Sequence, residues 1–330
     1  MDRIAVGNTG RRTTRLGFGC SSLMGAMGRR DSLSVLESAF DAGIRHFDVA
    51  PMYGYGEAES CLGEFMQRHP GEVTVTTKYG IPPPRNSSFT AVARSFAGPV
   101  LKRLPGLKQR LAGVARTATR NDEKASFTAA QAKASLERSL AALRADHIDV
   151  WLLHEVAAGD LQDDGLLRLL EDEVAKGTIG TFGIGSEASK VGDLLASRPA
   201  YCRTLQYEWS ILDAPVPSGT TFRINHRALT ENFRSLHGAL EKRTDVCQRW
   251  SELVGVDLHD RAQLATLMLK ASLVMNPESI ILFSSKNPQH IQGNVRVAGD
   301  AAIESSARKL YQLIQAERDQ LLPSAGAETP

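Results

Sequence analysis

The chain has 330 residues, 42% hydrophobic and 23% charged, which supplies enough apolar material for a sizeable buried core and excludes wholesale disorder. Lys and Arg number 39 against 37 acidic residues, and the resulting net charge of +2 gives no general reason to expect a nucleic acid or a membrane surface as partner. The four cysteines, Cys20, Cys61, Cys202 and Cys247, form no CxxC pair or metal-ligand spacing; the N-terminus lacks a secretory h-region, and no apolar run is long enough to span a bilayer. A reduced cytoplasmic protein without a metal site is the expectation.

Strand-like runs fall at 15–20, 44–48, 72–77, 147–153, 178–184, 202–207, 220–224 and 279–283. Residues 148–153 and 279–283 are apolar at nearly every position, as in a strand covered on both faces. The first intervening helix carries Leu33, Leu36 and Phe40 on one face, takes Asp31 or Ser32 as its cap and stops at Gly43. Further helical periodicity occupies 58–67, 128–143, 165–176, 190–196, 259–274 and 288–297, and 306–321 reads as a closing helix. The alternation predicts one α/β domain over residues 1–330, a (β/α)8 TIM barrel with a long insertion after the third strand and a C-terminal helix outside the barrel.

Two segments interrupt the rhythm. Residues 80–127 open with Pro82-Pro83-Pro84 and carry many basic side chains, among them Arg85, Arg94, Lys102, Lys108 and Arg120; a connection of that length reads as a lid, here one that favours anionic substrates. The small, polar tail 323–330 reads as disordered.

In such a barrel, chemistry gathers at the carboxyl ends of the strands. Four polar groups are expected on that rim: Asp48 and Tyr53 after the second strand, Lys78 at the third and His154 at the fourth. Together they supply what carbonyl reduction requires. Charge builds on the carbonyl oxygen as hydride reaches carbon, so an acid must lie within hydrogen-bond reach. Tyr53 suits that role, Lys78 would lower the phenol pKa, Asp48 would hold the lysine charged, and His154 could orient the carbonyl.

These residues carry a resemblance that covers nearly the whole chain. Gly43-Ile44-Arg45-His46-Phe47-Asp48-Val49-Ala50-Pro51-Met52-Tyr53-Gly54, continued by Glu59-Ser60-Cys61-Leu62-Gly63, resembles the GxxxxDxAxxYGxxExxLG signature of the aldo-keto reductases. Residues 135–143 followed by Asp149-Val150-Trp151-Leu152-Leu153-His154 are similar to the family's helix-strand-histidine segment. The resemblance implies the catalytic set Asp48, Tyr53, Lys78 and His154. It further implies nicotinamide contacts from Gln206 and a stacked Trp209, with Ser186 aligning with the family's Ser-Asn pair in more than one register. Ser284, Ser285, Lys286, His290 and Asn294 fall on its adenosine-phosphate segment. Ser285 and Lys286 favour NADP (NADPH), while His290 in place of a common Arg and Gly293 in place of a common Gln or Glu leave NAD open.

The function expected is NAD(P)H-dependent hydride transfer to an aldehyde or ketone, or from the corresponding alcohol, with Tyr53 as general acid and base. An NAD(P)-dependent aldose or alcohol dehydrogenase on the same site is the near alternative, and a nicotinamide-sensing regulatory subunit is one of another class. The expected partner is a small-molecule carbonyl or alcohol, not nucleic acid or membrane; the oligomeric state is open. Gly183-Ile184-Gly185 and Gly54-Tyr55-Gly56 are too short and misplaced for a Rossmann fingerprint.

Overall fold

The computed structural model describes residues 2–25, 27–83, 125–215 and 221–321. Most of the expected lid, 84–124, and the expected disordered tail, 323–330, lie outside the described residues. A closed barrel of eight parallel strands forms the centre. Its strands run β3 (Leu16–Gly19), β4 (His46–Asp48), β5 (Thr74–Tyr79), β6 (Ile148–His154), β7 (Ile179–Gly185), β8 (Thr204–Glu208), β9 (Phe222–His226) and β10 (Ser279–Phe283), with β10 pairing back onto β3. They follow a short antiparallel hairpin, β1 (Arg3–Ala5) with β2 (Arg12–Thr14), which the alternation of apolar runs did not reveal.

That hairpin seals the amino-terminal end of the barrel. Val6 is fully buried in one cluster with Val150 and Leu152 of β6, Phe222 and Ile224 of β9, and Ile280 and Leu282 of β10. At the same end Arg11 Nε lies 3.2 Å from Asp149 Oδ1, while the other carboxylate oxygen of Asp149 accepts from the Val75 amide at 2.8 Å. The alternate residues of β6, Trp151 and Leu153, belong instead to the large cluster shared with the helices, so β6 is apolar on both faces.

Helices α1 (Arg29–Asp41), α2 (Ala58–Met66), α3 (Ala129–Leu143), α4 (Asp164–Lys176) and α5 (Ala188–Ser197) follow successive strands. Helices α6 (Glu231–Lys242), α7 (Thr244–Val254) and α8 (Arg261–Met275) lie between β9 and β10, and α9 (Pro288–Gly299) and α10 (Glu304–Leu321) complete the chain. Helix α8 is buried at Leu264 and at every position from Leu267 to Val274, because α10 packs over its outer side. Such a helix has no polar face to mark it, yet Asp260 announces it by accepting from the amides of Ala262 and Gln263 at 2.7 and 3.2 Å.

Three expectations shift. Helix α1 begins at Arg29 with Gly28 as its cap; Asp31 lies in the first turn, and buried Ser32 accepts from the Met24 amide at 3.1 Å instead of capping. The seventh barrel strand runs on to His226, two residues beyond the sequence expectation, which brings a histidine to the rim. Helices α6 and α7 occupy a stretch to which the sequence reading gave no element. Gly183 permits the close approach of β7 to β8, since a Cβ there would overlap the Thr204 carbonyl.

Leu152, fully buried inside the barrel against the hairpin plug, gives a stability test. Leu152→Ala is expected to cost about 2–5 kcal/mol in urea unfolding, and a loss below half of that lower bound would show the interior to be loosely packed.

Candidate active site

Three strand ends supply the core of the site. Asp48 closes β4, Lys78 is the penultimate residue of β5 and His154 closes β6, so parallel pairing carries all three to one end of the barrel. Tyr53 arrives five residues after Asp48 on the one-turn helix Tyr53–Gly56, whose Gly54 and Tyr55 take φ of 57° and 61°. A Cβ at Gly54 would come within 2.5 Å of the Leu23 carbonyl and 2.6 Å of Met24 Cβ. Only glycine accepts both that conformation and that contact, and the 20–25 loop thereby braces the tyrosine turn.

The lysine is the hub. Lys78 Nζ donates to Asp48 Oδ1 at 2.6 Å and to the Val49 carbonyl at 3.0 Å, and it lies 5.3 Å from the Tyr53 ring centroid. Gln206 Nε2 donates to the second oxygen, Asp48 Oδ2, at 2.6 Å. Both oxygens of the aspartate are therefore engaged within a site where Asp48 is 4% and Lys78 2% exposed.

Burial pushes the Lys78 pKa down, but Asp48 and Tyr53 push it up by more, so the ammonium stays charged. The same ammonium pulls the Tyr53 phenol down, yet burial together with Asp48 and Cys20 outweighs it and leaves the phenol above its ordinary value. The expectation that Lys78 lowers the phenol is thus corrected in net direction: burial, with Asp48 and Cys20 behind it, outweighs the lysine's field. Burial, helped by Lys78, holds the His154 pKa down at about 3, and burial holds the His226 pKa at about 4. Both imidazoles are neutral.

A cavity of about 680 Å³ opens above these groups, with Asp48, Tyr53, Lys78, His154 and Gln206 in its wall. It extends to Ser284 and Asn294 of the expected adenosine-phosphate segment. Ser284 Oγ donates to the Gly19 carbonyl at 2.6 Å, which ties the ends of β3 and β10 together. Ser285 Oγ accepts from the Asn287 amide at 3.1 Å, and Lys286 and His290 are exposed at the start of α9.

Of the expected cofactor residues, Ser285, Lys286, His290, Trp209 and Ser186 are not in that wall. Trp209 is 4% exposed in the core, one residue beyond the end of β8, and donates its indole N–H to the Ala214 carbonyl at 3.0 Å. Ser186 also stands outside that wall and donates its hydroxyl to the Val156 carbonyl at 2.8 Å, which fixes the loop after β6. The cavity instead receives His226, Glu208 and Arg227, none of them singled out in the sequence. Glu208 and Arg227 pair at 2.7 Å across the adjacent ends of β8 and β9. Extending the period-two pattern Phe222, Ile224 by one step would have placed His226 on the inner face.

A family model, "Aldo/keto reductase family", matches residues 15–306. Pyridoxal 4-dehydrogenase of Microbacterium luteolum is 29% identical over 227 residues, 64% of each chain. D-threo-aldose 1-dehydrogenase of a Pseudomonas species is 33% identical over 189 residues, 53% of this chain and 50% of the relative. The chain thus spans less than two thirds of the length of these curated relatives. A solved aldo-keto reductase of Klebsiella pneumoniae in complex with NADPH aligns over 94% of this chain and 95% of its own, at a TM-score of 0.57 and 15% identity, a likeness of fold.

The depressed histidines make a titration test. The unfolded chain, with histidines near 6.5, takes up protons first as pH falls, so this contribution to stability is complete above about 6.5 and is lost toward the folded values near 4 and 3. Imidazole resonances of His154 and His226 should stay those of neutral rings through the physiological range. A midpoint near 6.5 for either would contradict its burial.

Proposed function

As the chain belongs to the aldo-keto reductase family, we propose that it is an NAD(P)H-dependent oxidoreductase that interconverts an aldehyde or ketone and the corresponding alcohol. The observation that carries this reading is the buried Asp48–Lys78 ion pair beside Tyr53 at one end of a cavity that reaches Ser284 and Asn294. About 680 Å³ is within the range of cofactor clefts, and the wall offers the Gln206 amide at one end and Ser284 and Asn294 at the other. Ser285 and the Lys286 ammonium just before α9 would suit a phosphate and lend support to NADP over NAD.

A reduced nicotinamide, when bound, supplies the hydride. Tyr53 gives its hydroxyl proton to the carbonyl oxygen as the carbon accepts that hydride, so the alcohol leaves neutral and the phenolate recovers a proton from water. Lys78 stabilises the transient phenolate, and Asp48 keeps the lysine cationic and in place. Neutral His154 donates a hydrogen bond to the same oxygen and orients it. A Tyr53 pKa above the ordinary phenol value favours the protonated form that reduction consumes.

A second reading has a specific support. Both curated relatives named above are dehydrogenases, one of an aldose, which favours oxidation on the same groups run in reverse.

Nicotinamide absorbance followed over a panel of aldehydes, ketones and aldoses with each cofactor tests both. Tyr53→Phe is expected to lower kcat by about 10²–10⁴-fold with nicotinamide affinity by fluorescence unchanged; wild-type turnover by that variant would exclude the phenol as acid. Oxidation consumes the phenolate, so its rate should climb with pH into the alkaline range while reduction does not. Parallel profiles in the two directions would remove Tyr53 from the proton transfer.

A further inference from the structure

A second cavity, of about 620 Å³, lies on the other side of the tyrosine turn, between that turn, the end of β5 and α3. Pro51 and Gly56, which bracket the turn, line it, and Ile81 is common to both cavities. Nothing in the hydride chemistry uses it. One side is apolar, formed by Pro51, Ile81, Pro82 and Pro83; the other presents Ser135, Arg138 and Ser139 of α3 with Glu59 of α2.

The polar side is built rather than incidental. Glu59 is 6% exposed, accepts from Thr77 Oγ at 2.6 Å, and burial raises its pKa against the opposing charges of Lys78 and Arg138. Ser139 is 1% exposed; its hydroxyl lies near enough to Glu59 to favour the carboxylate, yet Oγ makes no hydrogen bond of ordinary geometry. A buried hydroxyl left in that state is destabilising, and a ligand oxygen would satisfy it. Arg138 supplies the one cation of this wall among the described residues, and a guanidinium prefers a planar oxyanion.

We propose that this cavity binds a small amphipathic monocarboxylate, its carboxylate on Arg138 and Ser139 and its apolar body against the prolines. The site stands on its own geometry and does not depend on the reading of the catalytic cavity.

Calorimetry on the full chain with benzoate as the probe, and benzyl alcohol as the uncharged control, tests it without turnover. Benzoate is expected to bind saturably at one site and benzyl alcohol at least about tenfold more weakly. Arg138→Gln, a change at an exposed position that leaves folding intact, should weaken benzoate by about tenfold, and Arg138→Lys should restore part of the loss. Crystals soaked with benzoate should hold it between α3 and Pro82. Absence of saturable binding, indifference to Arg138→Gln, or benzoate confined to the catalytic cavity would each overturn the proposal, and none of them would touch the hydride chemistry.

Discussion

A carboxylate and an ammonium buried side by side hold the centre of this molecule. Two charges removed from water are costly unless every lone pair and proton is met, and removing one partner of such a pair leaves the other stranded at a cost of about 3–5 kcal/mol. Here both oxygens of Asp48 are met, one by Lys78 of the neighbouring strand β5 and one by Gln206 of β8, which stands across the barrel from β4. The pair thus ties together distant parts of the barrel wall, and the tyrosine turn is set beside it.

The barrel makes that arrangement possible. Parallel pairing around a closed sheet fixes which residues reach the same rim, and a slip of one residue would turn each of them to the other face. Asp48 pairs with Thr76 and Lys78 with Leu152, so the register of three strands carries Asp48, Lys78 and His154 to one end. The first loop adds the remaining constraint by packing Leu23 and Met24 onto Gly54.

Much of this was legible in the sequence because it is local. Apolar runs such as 279–283 identified the barrel strands, and Asp48, Tyr53, Lys78 and His154 each stand at or just beyond a strand end. What escaped depended on tertiary context. The hairpin strands are three residues each and too short to show a period. The burial of Trp209 and its indole bond to the Ala214 carbonyl, one residue beyond the end of β8, are likewise nothing a motif encodes. His226 was missed because its strand was ended two residues early. The direction of the Tyr53 shift was beyond any reading of spacing, because it results from a lysine opposed by burial and, behind burial, by Asp48 and Cys20.

The plug formed by Val6 has a consequence for traffic. With its amino-terminal end stoppered by side chains from the hairpin and three strands, the barrel is a cup and not a conduit. Whatever enters over the rim must depart over the rim, so two molecules that share the cup must queue at one doorway, and the order of loading constrains the order of release.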